Sequence, residues 1–251
     1  MIELRDVHKA FGEREILRGV TLEIPAGQNT VIIGYSGTGK SVTLKCIIGL
    51  LRPDAGEVLV DGTAVGAMDR EELAELRGRV GYVFQSAALF DSMTVAENIR
   101  LGLVRRGLDE TTMQDRVAES LRVVDLDGAA DKFPAELSGG MRKRVGVARA
   151  IALRPAYLLY DEPTTGLDPV TSAVMDQLMI RTRDLGVTGV IVTHDMRTAF
   201  SVGNRIAMLY EGKIRQAGPA PEMQRTDDPI VRQFIEGRPD TAPVPSRGAQ
   251  S

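Results

Sequence analysis

The chain has 251 residues, 43% hydrophobic and 26% charged, which suits one soluble globular domain with room for a subdomain. A net charge of −3 gives no general pull toward nucleic acid, and one cysteine with two histidines excludes an internal disulfide and argues against structural zinc. No apolar run approaches the ~18–20 residues of a membrane span, and Met1–Asp6 lacks the basic start and apolar centre of a signal peptide. The expectation is a cytosolic chain, at a membrane only through a partner.

Residues 1–33 read as β-structure, with strands at Ile2–Val7, Leu22–Ile24 and Asn29–Ile33 broken at Phe11-Gly12 and Pro25-Ala26-Gly27. Phe11 has two readings: an aromatic that stacks on a base, or a core aromatic of a small sheet. After the apolar run Thr30–Ile33 comes Gly34-Tyr35-Ser36-Gly37-Thr38-Gly39-Lys40-Ser41, then Val42 and a helix to Leu51. Strand, G-x4-G-K-S and helix together form the P-loop pattern. Glycines let backbone N–H groups turn in around a phosphate chain, and the helix points its positive end at the same anion. Lys40 then reaches the terminal phosphates and Ser41 becomes a Mg²⁺ ligand. Cys46, inside that helix, reads as a small buried residue.

Glu57–Val60 reads as a strand entering a hairpin, residues 69–77 as a helix with a solvated charged face, and Val80–Phe84 as a buried strand ending at Gln85. A polar residue at such a strand end stands where α/β sheets bind ligands. From about Ala87 to Ile151 the pattern is helical, with helices at 94–106 and 112–124. Leu137-Ser138-Gly139-Gly140 opens another helix, Met141–Leu153, with Ser138 as its cap, and so makes a second anion cradle. Arg142-Lys143-Arg144 on its first turn is either solvated surface or a phosphate contact.

Tyr157–Tyr160 is an apolar strand ending in Asp161-Glu162. With a P-loop upstream, this is the Walker B arrangement, with Asp161 on the Mg²⁺ side and Glu162 orienting the attacking water. Thr164–Pro169 is a loop, 170–184 a helix, and Gly189–Val192 a strand ending at His194, which is either structural or functional. A hairpin at 205–216 and two short helices, near 221–224 and 229–236, complete the globular part. Residues 238–251, with three prolines and little apolar content, are expected to be extended or disordered. The segment from Asp228 onward is either a frayed terminus or a clasp reaching a second subunit.

Taken together, these motifs resemble the ATP-binding subunits of ABC transporters over about residues 1–237. The resemblance assigns Gln85 to the Q-loop, Leu137–Met141 to the signature, Gly166-Leu167-Asp168 to the D-loop and His194 to the switch histidine, all in the family's order. It implies an α/β P-loop NTPase (RecA-like) core, an N-terminal antiparallel β subdomain and an ABC-type helical subdomain at about 87–151. It also implies ATP and Mg²⁺ as ligands, with Glu162, His194, Gln85 and Asp168 catalytic. Phe11 then stacks on adenine, Gly34–Val42 hold the phosphates, Ser138, Gly139, Gly140 and Met141 face the ATP of a second copy, and Ser41, Gln85 and Asp161 hold the metal. Met141 departs from the glutamine usual there.

The P-loop sequence, the Met-Arg-Lys-Arg continuation of the signature and the Val231–Gly237 ending look like the Mla-type ATPases. That narrower likeness implies phospholipid movement between membranes, a transmembrane permease partner, an MCE-domain lipid-binding partner and a place on the cytoplasmic face of the inner membrane. Leu89 and Phe90, apolar in a loop after Gln85, are either the permease contact or local packing. The alternatives are the ATPase of another ABC importer or exporter and, as a different class, a soluble ABC ATPase acting on nucleic acid or ribosomes. The single ATPase domain, the lack of a long heptad run and the acidic balance disfavour it.

Overall fold

The computed structural model describes residues 1–238; the expected extended tail after Arg238 lies outside the described residues. Two sheets organise the chain. The first is antiparallel, in the order β2-β1-β4-β5, built from β1 (Ile2–Phe11), β2 (Arg14–Ile24), β4 (Ala55–Val60) and β5 (Thr63–Ala64). The second has the order β10-β9-β3-β8-β7-β6. Its strands are β3 (Asn29–Ile33), β6 (Val80–Val83), β7 (Tyr157–Asp161), β8 (Thr188–Thr193), β9 (Arg205–Tyr210) and β10 (Lys213–Pro219). Strands β9, β3, β8, β7 and β6 run parallel, and β10 closes one edge antiparallel to β9.

The parallel strands are continuous apolar runs because both faces are covered. Their residues alternate between two cores. On β7, Tyr157 and Leu159 join the core beneath the antiparallel sheet and α1 (Lys40–Ile47), whereas Leu158 and Tyr160 join the core that includes the helical region. Strand β8 follows the same rule, with Val190 and Val192 on one side and Ile191 on the other. Each fully buried aliphatic side chain here contributes about 1.5–3 kcal/mol.

The helical region consists of α3 (Val95–Val104), α4 (Glu110–Val123) and α5 (Gly139–Ile151), preceded by α2 (Arg70–Arg79) outside it. Each start is chemically marked. Asp69 and Thr94 form capping boxes with Glu72 and Glu97, Asp109 caps α4, and Ser138 caps α5 by accepting from the Met141 N–H at 3.2 Å. The α5 helix therefore starts two residues earlier than the sequence pattern suggests, so both glycines of the signature lie in its first turn. Then α6 (Pro169–Asp184) begins at the Asp168 cap, and α7 (Met196–Val202), a helix not anticipated from sequence, begins at the Asp195 cap. Cys46 is fully buried, and burial pushes its thiol up to about 11, which removes it from thiolate chemistry.

At the C-terminus come α8 (Ala220–Gln224) and α9 (Pro229–Ile235). Helix α9 docks on its own chain: Val231 is fully buried, and the Phe234 ring meets Tyr35 edge-on at 4.7 Å between centroids. This helix thus packs on its own chain through Val231 and Phe234.

Candidate active site

The carboxyl ends of β3, β7 and β8 lie side by side in one parallel register, and each is followed by polar residues. After β3 the chain makes the loop Gly34–Gly39. Only glycine fits at two of its turns. A Cβ on Gly34 (φ +157°) would come 2.4 Å from the Leu209 carbonyl, and one on Gly39 (φ +106°) would come 2.7 Å from Leu17. The Thr38 hydroxyl donates to the Tyr35 carbonyl at 2.9 Å and closes the loop from within. Lys40 is 6% exposed, and its Nζ donates to the Gly34 and Tyr35 carbonyls at 2.8 and 3.1 Å.

Glu162 follows β7 in a left-handed conformation (φ +51°), a strained setting for a non-glycine residue that costs about 1–3 kcal/mol. Three groups converge on its carboxylate. Lys40 Nζ stands 3.4 Å from Oε1, His194 Nδ1 lies 2.9 Å from Oε2, and the Thr165 hydroxyl donates to Oε2 at 3.2 Å. A carboxylate beside a half-exposed histidine, facing a cavity, can accept a proton from water. Next to it, both Asp161 oxygens are engaged: the Ser41 hydroxyl donates to Oδ1 at 2.7 Å and the Tyr82 hydroxyl to Oδ2 at 2.8 Å. Burial, together with the Asp161 charge, pushes the Tyr82 hydroxyl well above its usual range, so it remains a donor.

These groups open onto a cavity of about 870 Å³. Of the residues expected from sequence, Phe11, Tyr35, Ser36, Gly37, Gly39, Lys40, Ser41, Val42, Gln85, Glu162 and His194 line it. Gly34 and Thr38 shape the loop behind, and Asp161 reaches the site through Ser41. Phe11 is 50% exposed at the rim, so the core-aromatic alternative does not hold. Gln233, Phe234, Gly237 and Arg238 also line the cavity, a wall from the C-terminal helix that no local pattern announces.

The remaining expected residues lie elsewhere. Ser138, Gly139, Gly140, Met141 and Asp168 are absent from the cavity's lining. Gly140 packs so closely on α6 that a Cβ would meet Thr171 at 2.3 Å. Asp168, expected among the catalytic groups, is an N-cap here: Oδ1 accepts from the Val170 and Thr171 N–H groups, and Oδ2 from the Thr171 hydroxyl. That Thr171 hydroxyl bond, with the backbone bonds, holds the Asp168 carboxyl below its usual range. Both oxygens are spent on the helix, and the signature and the D-loop form one surface separate from the P-loop cavity.

Arg142-Lys143-Arg144 is only in part the solvated surface that the sequence offers: Arg142 is exposed, whereas Lys143 is buried. All three are clamps on main-chain carbonyls. Arg142 donates to Leu137, Arg144 to Val124 and Asp125, and the nearly buried Lys143 to Pro163 at 3.0 Å and Thr165 at 2.6 Å. Lys143 thereby ties α5 to the loop that follows Glu162. Its desolvation lowers its pKa against the opposing pull of the Glu162 charge. The local sequence cannot reveal this, because the accepting carbonyls come from other elements.

The donor set at the Ser41–Asp161 corner is one hydroxyl and one carboxylate, with Gln85 on the same cavity. That fits Mg²⁺, which takes one or two carboxylates and completes its shell with substrate phosphates and water. No group of three or more His, Cys, Asp or Glu that could hold a metal occurs among the described residues.

Comparison with known proteins agrees with this geometry. The ABC transporter family model matches residues 17–165. The chain is 44% identical over 239 residues to the "Probable ribonucleotide transport ATP-binding protein mkl" of Mycobacterium leprae, covering 94% of this chain and 69% of that one. It is 41% identical over 249 residues to the intermembrane phospholipid transport system ATP-binding protein MlaF of Escherichia coli, covering 98% and 92%. A solved dimeric bacterial ABC transporter cassette superposes with a TM-score of 0.81 at 35% identity, covering 88% of this chain and 99% of that chain. The chain belongs to the ABC transporter ATP-binding family, within which it is an ATPase related to MlaF.

Proposed function

We propose that this chain is the ATP-hydrolysing motor of a phospholipid transporter and works as a head-to-tail pair on a transmembrane permease. The observation that carries the motor reading is Glu162, held between Lys40 and His194 on the P-loop cavity. Lys40 and the loop N–H groups bind the phosphates of ATP, and Phe11 at the rim takes the adenine face. Ser41 and Asp161, with Gln85 nearby, hold Mg²⁺, which when bound neutralises charge on the terminal phosphates. Glu162 orients water and accepts its proton, and His194 keeps the carboxylate aimed. The signature surface around Ser138 lies apart from the cavity, which suits service to the ATP of a second copy. Closing and opening of such a pair turns hydrolysis into a change of shape.

The cargo reading rests on kinship with MlaF. The Mkl relative bears a ribonucleotide name, and cargo does not touch an ATPase subunit, so the permease decides between them. No helix among the described residues is long and apolar enough to cross a membrane, which suits peripheral attachment to the inner membrane through that permease. An MCE-domain lipid-binding protein is the further partner implied, and nucleic acid is not one.

The permease seat proposed is the loop after Gln85. Leu89 packs inward, whereas the Phe90 ring is 55% exposed on a backbone pinned by Asn98, which donates to its carbonyl and accepts from its N–H. The test is affinity purification of the full chain from detergent extract of its own cells. An integral membrane protein and bound phospholipid are expected with the native chain, and Phe90→Glu should lose the membrane protein while keeping ATP binding. Ribosomes in place of a membrane protein would overturn the motor reading, and normal recovery with Phe90→Glu would return Phe90 to local packing.

A further inference from the structure

Tyr82 belongs to none of the motifs that define the nucleotide site, yet it touches the carboxylate on the magnesium side. It lies on β6 opposite Leu159 of β7. In parallel register those two side chains share a face, and Asp161, two residues past Leu159, shares it too. Two residues of strand rise about 6.6 Å, the span a tyrosine covers from backbone to hydroxyl. The phenol therefore runs along the neighbouring strand and ends on Asp161 Oδ2 at 2.8 Å. The ring is steadied by Phe84, the next residue on that face, at 4.5 Å between centroids. Ser41 approaches the other oxygen from α1.

We infer that Tyr82 is a positioning residue for the magnesium site: its hydroxyl fixes the rotamer of Asp161 and so sets the affinity for Mg²⁺ without touching metal or nucleotide. The inference rests on the MgATP reading of the cavity. Ser41 is itself a metal ligand in that reading, so its bond to Asp161 competes with its own role. Tyr82 has no such second duty, and its bond alone is free to hold the carboxylate whether or not metal is bound. Partners that orient a metal's ligand typically change metal affinity 10- to 100-fold when removed.

The test is Tyr82→Phe in the full chain, which keeps the ring and removes the hydroxyl. Binding of a fluorescent ATP analogue is titrated in EDTA and then across a range of MgCl₂, alongside thermal melting. The expected result is a melting temperature lowered by no more than about 10 °C, as loss of one hydrogen bond to a carboxylate implies, an unchanged affinity in EDTA, and a roughly tenfold rise in the Mg²⁺ concentration that gives half of the metal-dependent gain. An unchanged Mg²⁺ midpoint overturns the inference. So does a parallel loss of affinity in EDTA, because a general disturbance of the cavity would move it. If the unsubstituted chain gains no affinity from Mg²⁺, the MgATP reading itself fails and the inference falls with it.

Discussion

Glu162→Gln is expected to bind ATP with near-native affinity and to hydrolyse it about 10²- to 10⁴-fold more slowly. The amide is almost the shape of the carboxylate, so the left-handed backbone at Glu162 and the P-loop cradle persist. It cannot accept a proton from water, and that is the single function removed. The His194 and Thr165 bonds to Oε2 survive in part, because an amide oxygen still accepts from both, whereas the Lys40 ion pair loses its charge. Steady-state phosphate release with equilibrium nucleotide binding checks the pair of expectations. Hydrolysis within a few-fold of the unsubstituted chain would remove Glu162 from the chemistry.

Lys40→Ala is expected to fail at the earlier step. The ammonium sits almost wholly out of water, donates to two loop carbonyls and faces Glu162. Its loss removes a charge-assisted bond to phosphate, worth about 1.5–3 kcal/mol, or about ten- to hundredfold in ATP affinity. It also frees the Gly34 and Tyr35 carbonyls and leaves Glu162 without its cation, so the loop loses shape as well as charge. Nucleotide titration checks this. Unchanged affinity would count against the phosphate role of the loop. The two variants thus divide the site: one binds without turnover, the other scarcely binds.

The parts of this site legible in the sequence are those marked by local chemistry. Glycines at Gly34 and Gly39 are demanded by backbone turns, apolar runs mark strands covered on both faces, and polar residues stop those runs where the cavity opens. Caps are equally local, which is why Ser138 and the signature helix could be read. What could not be read depends on partners distant in sequence. Strands β1 and β2 run longer than their alternation suggests because register shifts between Leu4 and Val7 and between Lys9 and Ala10 break the period of two. Helix α7 was missed because Thr198, Phe200, Ser201 and Val202 are weak helix formers; it is held by the Asp195 cap and burial of Ala199 and Val202. The Lys143 clamp, the Tyr82 bond and the Phe234–Tyr35 contact each join residues that only the folded chain makes neighbours.

The central claim is that one ATP is served by two chains, the P-loop cavity of one and the signature surface of the other. It is tested most directly by mixing Lys40→Ala chains with Ser138→Arg chains. Each is expected to be inactive alone, whereas a mixed pair carries both defects in one composite site and none in the other. Random pairing makes half the dimers mixed, so, with each intact site firing alone, the account predicts recovery of ATPase activity to about a quarter of the native rate, appearing only where ATP-dependent dimers form. No recovery in pairs verified to contain both chains, or recovery from chains that remain monomeric, would contradict it.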